Sequence, residues 1–398
     1  MSRNYYALLW HATFLALTLT FTDVNTILPA LLVNAGGTDI HIGLLTAIMV
    51  GTPIAGQVLF ASYLHLKARK KAFLLLGINL RIVALILVAV VLATAELIPG
   101  RAVIVLVLVL MFAFALGGTF AGVSYVDIVG KSLLRAQRHR FFVSRQVLTS
   151  VAFLLSALVA RNVLARVDYP TNYMWLFVLA AGLLLVASWG FWVIAEPSAD
   201  PPGDAYRLAD VLKSIPGRLR DDRELRRYIF VVNLTGFGLT LMPFYVVLAK
   251  AHYGLTGQQV GAYLLVQIAG MIASNLLWAR VVKRYGFRGV IRGCIACGTS
   301  LPLLALLLVR GPLVIFLFVF FLIGVGLSAR KIAFDGLFIE ITTDDNRALH
   351  KGVVGTTSLS TALFPLLAGI LITSIGYAPV FLLGSLLVAS AYPLLAER

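Results

Sequence analysis

The sequence predicts an all-α polytopic membrane protein with twelve transmembrane helices, arranged as two parallel six-helix pseudo-repeats. Three observations predict this fold: the apolar composition, the number of apolar segments of spanning length, and a repeat of the first half in the second. Of the 398 residues, 60% are hydrophobic and 13% are charged, whereas soluble domains are about half apolar and about a quarter charged. The composition therefore favours a chain embedded in the bilayer.

Twelve apolar segments are long enough to cross a membrane, which takes about 20 residues of helix. The apolar runs are continuous rather than alternating, so they indicate helices and not the strands of a membrane β-barrel. We interpret the first segment as a span rather than a cleavable signal because it is about as long as a full crossing. The segments cover residues 7–33, 40–64, 72–95, 102–129, 141–163, 173–194, 227–250, 257–281, 288–309, 311–334, 352–374 and 376–395.

The net charge of +16 is distributed in short basic clusters between the apolar segments. If the N-terminus is cytoplasmic, 26 of the 33 Lys and Arg residues fall in cytoplasmic segments and five in external ones. This bias follows the positive-inside rule. Both termini are therefore expected in the cytoplasm, with the chain in the cytoplasmic (inner) membrane of a prokaryote. The placement of the charge argues against nucleic acid as a partner and for the lipid bilayer.

The second half of the chain repeats the first. An offset of 218 residues aligns Gly43 with Gly261 without a gap, and an offset of 208 aligns Asp127 with Asp335. Two repeats in the same orientation are an architecture of secondary transporters. The predicted domains are a six-helix bundle at 1–195, a cytoplasmic connection at 196–226 and a second six-helix bundle at 227–398.

With this organisation the sequence resembles the major facilitator superfamily. The family's signature lies after the second and eighth spans and has the pattern G-x-L-a-D-r-x-G-r-k. The second copy reads ARVVKRYGFR at 279–288, in which Arg284, Gly286 and Arg288 fit, while Lys283 stands in place of the Asp. The first copy, ASYLHLKARK at 61–70, keeps the basic cluster but lacks the Asp and the second Gly.

The resemblance implies a central cavity lined by the first, fourth, seventh and tenth helices, and transport by rocking of the two halves. It also implies that the signature Asp helps to latch the cytoplasmic gate, a role that neither copy can fill in this chain. Drug–proton antiporters of the superfamily often carry an acidic residue in the first helix, and this chain has Asp23 there.

Asp23 is the leading candidate for the coupling or substrate-binding carboxylate. It lies about mid-span or slightly outward, where a charge costs several kcal/mol unless it faces water or a partner. Thr22 and Asn25 lie with it on a polar face of the helix, and Pro29 frees backbone carbonyls there. A carboxylate in a wet cavity can take up and release a proton or pair with a cationic substrate. The alternative is a neutral or ion-paired carboxyl that only fixes helix packing.

Arg81 lies near mid-depth of the third span and needs a carboxylate or several carbonyls there. Asp23 is the other formal charge clearly near that depth in the first half, so the sequence suggests an Asp23–Arg81 pair. The alternative is an arginine held by carbonyls and water.

Four further charged residues are gating candidates: Asp127, Arg145, Arg284 and Asp335. Asp127 and Arg145 lie near the cytoplasmic ends of the fourth and fifth spans, where a bridge between them would help to close the inner side. A solvated structural pair is the alternative. Asp335, the repeat-mate of Asp127, has Arg330, Lys331 or the next loop within reach.

Arg330 and Lys331 would favour an anionic substrate or headgroup if they face the cavity, and they are otherwise ordinary positive-inside anchors. Asn233 and Tyr245 in the seventh span are candidates for hydrogen bonds in the cavity, with packing between helices as the alternative. Cys294 and Cys297 are interpreted as small residues of an apolar helix. The histidines are scattered, so no metal site and no cofactor are expected.

The function predicted from these residues is secondary active transport of a small organic solute by alternating access, coupled to protons, in a monomer. Export of a drug-like or amphiphilic compound is preferred because the expected cavity is mostly apolar. The absence of a G-x-x-x-x-G-K-[ST] loop argues against ATP-driven pumping, and no nucleophile–base pair indicates an enzyme. The alternative is a membrane sensor or assembly partner that uses a transporter scaffold without transporting.

Overall fold

The computed structural model describes residues 3–65, 67, 69–133, 135–196, 216–217, 219–342 and 347–396. Every regular element among them is an α-helix. Most of the predicted central connection, 196–226, lies outside the described residues, as do two positions of the first signature copy. The helices of the first half are α1 (Arg3–Phe21), α2 (Ile27–Asn34), α3 (Asp39–His65), α4 (Lys71–Ala93), α5 (Gly100–Ser132), α6 (Arg135–Arg166) and α7 (Thr171–Val193).

The second half begins at α8 (Arg223–Leu241), which Asp222 caps by accepting a hydrogen bond from the Leu225 N–H at 2.9 Å. Thr256 and Gln259 form a capping box at the start of α10 (Gly257–Leu308). The helices of this half are α8 (Arg223–Leu241), α9 (Phe244–Tyr253), α10 (Gly257–Leu308), α11 (Leu313–Glu340), α12 (Arg347–Thr357), α13 (Leu359–Ile375), α14 (Tyr377–Ala389) and α15 (Pro393–Ala396).

Ten stretches of helix within the described residues are long and apolar enough to cross a membrane. One of them, α10, has 52 residues and so would be about 78 Å long at 1.5 Å per residue, more than twice the hydrocarbon thickness. Its path is broken at Gly286, whose φ of 66° and ψ of −173° suit a residue without a Cβ. The predicted twelve spans are reached by counting α10 as two crossings and α1 with α2 as one, and the number stays a prediction.

The repeat predicted from the sequence recurs in the order of the helices. The first span is broken between α1 and α2, and the seventh is broken in the corresponding place between α8 and α9. The next helix begins at Asp39 in the first half and at Gly257 in the second, 218 residues apart. The same offset aligned the sequences, so the two halves share one pattern of helices.

The halves meet through α3 against α13 and through α6 against α10. Gly43 approaches the Pro365 carbonyl so closely that a Cβ would collide with it, and a Cβ on Gly261 would lie 2.6 Å from the Arg161 Cα. Small residues permit such close approach where lipid gives no hydrophobic drive for helices to associate. We call the side that carries Arg3 and α15 the terminal face, and the other side the opposite face.

Candidate functional site

The first span is interrupted at residues 22–26, where the chain leaves the helix at membrane depth. Asp23 holds the interruption together: its Oδ1 accepts hydrogen bonds from the Asn25 N–H at 3.0 Å and from the Thr26 hydroxyl at 2.8 Å. The Leu28 N–H reaches the Asp23 carbonyl at 3.0 Å. Non-helical backbone at this depth is tolerated where protein or a water-filled cavity satisfies its hydrogen-bonding groups. The Asp23 carboxylate does so for the Asn25 N–H.

The other carboxylate oxygen of Asp23 bridges the two halves. Its Oδ2 accepts a hydrogen bond from the Gln267 Nε2 at 3.0 Å, and Gln267 lies in α10. Gln267 is buried, and its Oε1 has no partner among the described residues. Asp23 itself is only half-buried. One side chain therefore joins the broken helix of the first half to the second half and keeps some access to open space.

The neighbouring polar residues of the first helix have local roles. Thr22 is buried, and its hydroxyl donates to the Leu19 carbonyl at 3.4 Å. Asn25 is half-buried and contributes its backbone N–H to Asp23. The amide side chain of Asn25 forms no hydrogen bond with a described residue. It is the polar group beside Asp23 that remains available to a ligand.

The structure does not form the suggested Asp23–Arg81 pair. The hydrogen bonds of Asp23 go to Asn25, Thr26 and Gln267, and its two oxygens are thereby occupied. The Arg81 guanidinium lies instead over the Phe114 ring, with Cζ 4.2 Å from the ring centroid. The prediction was wrong because equal depth in the membrane does not bring two side chains to the same side of the bundle.

The suggested Asp127–Arg145 bridge is also wrong. Asp127 Oδ2 lies 2.6 Å from Lys131 Nζ and 3.2 Å from Lys70 Nζ. Arg145 instead lies over the Tyr125 ring, with its Cζ 5.8 Å from the centroid. Lys131 follows Asp127 by four residues on the same helix, a spacing that brings side chains together. Lys131 could therefore have been predicted as the partner of Asp127 from helical spacing.

In the second half, Arg330 is held inside its own bundle. It donates to the Thr235 hydroxyl at 2.7 Å and to the Val232 carbonyl at 3.1 Å, and it packs on the Phe334 ring. Asn233 joins α8 to α13 by accepting from the Thr361 hydroxyl at 2.9 Å. Both are bonded to neighbouring helices, which matches the packing alternative for Asn233.

Three remaining candidates lie apart from Asp23. Tyr245 is fully buried against the Phe381 ring, where a solute has no access. Arg284 is exposed and lies beside the Tyr285 ring. Asp335 is exposed, within electrostatic range of Lys331 and Tyr228. None of the three contacts the Asp23–Gln267 bridge among the described residues.

Contacts that the sequence did not single out hold the halves together at the opposite face. The Tyr377 hydroxyl donates to Asp39 Oδ1 at 2.8 Å, which joins α14 to the start of α3. Lys250 Nζ, at the end of α9, donates to the Val33 carbonyl at 3.3 Å. Each residue lies at the end of a span, where charged and aromatic residues are ordinary, so composition gave no signal. These two bonds join the halves at the opposite face.

The described residues offer no group of three or more His, Cys, Asp and Glu side chains that could hold a metal ion. Cys294 is buried and Cys297 is half-buried, and both are free thiols. Asp23 can bind a ligand that reaches it through hydrogen bonds and charge.

Comparisons with known proteins match this architecture. Residues 228–396 match the family model of the Major Facilitator Superfamily, and no curated protein matches the sequence. A bacterial homologue of the iron transporter ferroportin in an inward-facing state has a similar fold, with TM-score 0.72 and 12% identity over 100% of both chains.

A D-xylose–proton symporter gives TM-score 0.69 and 12% identity over 99% of both chains. The human organic anion transporter MFSD10 gives TM-score 0.67 and 16% identity, again over 99% of both chains. At such identities the likeness concerns the fold. The expected resemblance to the major facilitator superfamily is confirmed in sequence for the second half, and the solved structures show a shared fold for the whole chain.

Proposed function

We propose that the chain is a secondary active transporter that exports a small organic solute across the cytoplasmic membrane in exchange for protons. The observation that carries the proposal is the Asp23–Gln267 hydrogen bond. It places a half-buried carboxylate at a broken helix and ties that carboxylate to the other half. In secondary transporters, substrate and ion sites lie near the midplane at the interface of the repeats, where helices are discontinuous.

Proton coupling follows from the chemistry of this pair. Ionised Asp23 accepts a hydrogen bond from the Gln267 amide nitrogen, whereas a protonated carboxyl donates to an amide oxygen. Gln267 Oε1 is buried without a partner among the described residues, so rotation of the amide would supply that acceptor. The bridge between the halves then survives protonation while the charge of Asp23 disappears. Loss of a charge at membrane depth removes a cost of several kcal/mol, which changes how easily the halves move.

Export is the proposed direction. The positive-inside bias favours a cytoplasmic terminal face, and the bonds at the opposite face join the halves on the side that would then be external. A state joined on the external side is the one in which an exporter loads its solute, and the preference for export over import rests on the few charged residues expected in the cavity. The similar fold of a D-xylose–proton symporter agrees with coupling to protons.

The test begins with thermal unfolding of the detergent-purified protein against a chemically broad solute panel. Wild type, Asp23→Asn and the exposed-carboxylate control Glu96→Gln are run in parallel at several pH values. A compound that binds the native state raises its unfolding temperature by mass action. We expect one class of compound to stabilise wild type and Glu96→Gln, and to lose its pH dependence in Asp23→Asn.

The stabilising compound is then loaded into proteoliposomes and its release is followed under an imposed proton gradient. Saturable release that a protonophore abolishes in wild type supports proton-coupled export. Solute exchange without response to the gradient is expected for Asp23→Asn. If a stabilising compound binds but never crosses the membrane, the sensor alternative replaces the proposal, and if Asp23→Asn transports as wild type does, the role of Asp23 is wrong.

A further inference from the structure

The interruption between α1 and α2 concentrates negative charge around Asp23. The C-terminal end of α1, at Phe21, carries a partial negative charge from its last carbonyls. Asp23 adds a full negative charge two residues beyond that end. Pro29 has no N–H to donate to the carbonyl of Asn25, four residues earlier. The local electrostatics of this break therefore favour a cation.

The hydrogen-bond partners of Asp23 leave its charge uncompensated. The carboxylate accepts from the Asn25 N–H, the Thr26 hydroxyl and the Gln267 amide, and each of these donors is neutral. No ion pair joins Asp23 to another described residue. A charge at membrane depth costs several kcal/mol unless water or a partner offsets it. A cation bound at the carboxylate would remove that cost.

Gln267 supplies a second oxygen at the same place. Its side chain is 3% exposed, and its Oε1 has no hydrogen-bond partner among the described residues. Nε2 and Oε1 are bonded to the same carbon, so Oε1 lies beside the hydrogen bond that Nε2 donates to Asp23 Oδ2 at 3.0 Å. Rotation of the amide by half a turn places Oε1 against Oδ2. Two oxygens in that position need a proton or a cation between them.

The size and charge of the site select the kind of cation. Gln267 Oε1 is buried, so a bulky organic ammonium group cannot reach it, whereas the half-buried Asp23 leaves a path for a small ion. One carboxylate neutralises a single positive charge. Ca²⁺ takes about six to eight oxygen ligands, commonly with several carboxylates, and the described residues offer no group of three or more His, Cys, Asp and Glu. The site therefore suits a small monovalent metal ion.

We propose that Asp23 Oδ2 and Gln267 Oε1 bind Na⁺ at the interruption of the first span. Helix ends and unwound backbone at a repeat interface are places where transporters hold Na⁺. The two oxygens belong to opposite halves of the chain, so the ion joins the halves in place of the proton between the same atoms. Binding of Na⁺ does not require transport, whereas its use as a coupling ion in competition with the proton rests on the proposed function.

The experiment uses the full chain in detergent at constant chloride concentration, with choline chloride replaced stepwise by NaCl. Thermal unfolding is measured at each step, because a ligand of the native state raises the unfolding temperature by mass action. Choline carries the same charge as Na⁺ but is too large to lie between the two oxygens. We expect saturable stabilisation by Na⁺ relative to choline. Binding of radioactive Na⁺ to the same protein gives the apparent Kd without unfolding.

Asp23→Asn should weaken the apparent Kd for Na⁺ about tenfold or more, because the charge of the ligands sets cation affinity. Glu96→Gln is its matched control, since Glu96 is an exposed carboxylate. Gln267→Met removes Oε1 but keeps a side chain of similar length, and it should weaken binding to a similar degree. Its matched control is Gln258→Met, at an exposed position of the same helix. Both controls should titrate as wild type does.

Wild type that responds alike to Na⁺ and choline would overturn the proposal. Asp23→Asn or Gln267→Met protein that binds Na⁺ as wild type does would show that the substituted residue is not a ligand, and the proposed pair of oxygens would be wrong. Proton-driven export without any response to Na⁺ would remove the cation site and leave the proposed function standing. Conversely, Na⁺ binding by a protein that moves no solute would leave the cation site and remove the proposed function.

Discussion

Gln267 donates a hydrogen bond to Asp23 across the boundary between the two halves, 244 positions apart in the chain and 3.0 Å apart in space. A buried amide can form a hydrogen bond with a carboxylate, a carboxyl or another amide. The effect of a substitution therefore depends on whether the new side chain at position 23 can still bond Gln267. Asp23 also fastens the interruption of its own helix through Asn25 and Thr26. The residue therefore has a structural and a proposed chemical role that substitutions can separate.

Asp23→Asn is expected to remain folded, because the new amide can still bond Gln267 and accept from Asn25 and Thr26. Asp23→Ala loses all of these bonds and is expected to destabilise the protein by about 1–3 kcal/mol, the cost of leaving buried partners unsatisfied. Thermal unfolding of both variants in detergent checks the difference. Equal stability of the two variants would mean that the side-chain bonds of Asp23 contribute little.

Tyr377→Phe is expected to loosen the opposite face, because it removes the hydrogen bond to Asp39. Hydrogen bonds between membrane helices average about 0.6 kcal/mol and reach about 1.7 kcal/mol. The population open at that face should therefore rise about threefold or more. Spin labels at exposed positions 96 and 310, in a protein whose two cysteines are replaced by alanine, report the distance between the halves.

The control for this measurement is Tyr392→Phe, since Tyr392 is an exposed tyrosine beyond the last long helix. It should leave the distance distribution unchanged. A distribution for Tyr377→Phe identical to that of wild type would show that the Asp39 contact does not hold the halves together.

A double-mutant cycle between Asp127 and Lys70 should give a coupling energy of about 0.5–1 kcal/mol, because Lys70 is 9% exposed and lies 3.2 Å from the carboxylate. The cycle between Asp127 and Arg145 should give none. Both cycles are measured by thermal unfolding in the same detergent. Coupling of Asp127 to Arg145 instead of Lys70 would support the Asp127–Arg145 bridge expected from the sequence.

Gly43→Ala is expected to force α3 away from α13, because its Cβ would collide with the Pro365 carbonyl. Gly182→Ala is the matched control: Gly182 is also helical, but its Cβ would meet nothing within 4 Å. The control should leave stability unchanged or raise it by up to about 1 kcal/mol through helix propensity. Unfolding temperature and the distance between spin labels at 96 and 310 measure both effects. Identical behaviour of the two variants would exclude close packing at Gly43.

The sequence predicted the helices, their repeat and the polar character of the first span, because hydropathy and spacing act locally. The interruption at residues 22–26 lies inside the predicted span 7–33 and was not itself predicted, although Pro29 and the polar side chains around Asp23 oppose a continuous apolar helix. These features depend on neighbours within one or two turns. They did not require knowledge of how the helices pack.

The partners of Asp23 and Arg81 depend on that packing. Hydropathy gives the depth of a residue in the membrane but not the direction in which its helix is turned relative to other helices. Asp23 faces the second half and meets Gln267, whereas Arg81 is turned across the glycines of α5. The Asp23–Arg81 pairing, which was based on depth alone, was therefore wrong. The partner of Asp127 lies four residues along the same helix and could have been predicted from the sequence.

The two interruptions occupy corresponding places but differ in backbone and side chains. The first leaves the helix over residues 22–26 and carries Asp23, whereas the second consists of Met242 and Pro243, which keep helical φ and ψ, and has no ionisable group. A single carboxylate at this level can carry one proton in a cycle, so the proposed exchanger would have a stoichiometry of one. Each elementary charge is worth about 2.3 kcal/mol per 100 mV of membrane potential. One proton driven by 100 mV could then sustain a solute gradient of roughly 40-fold.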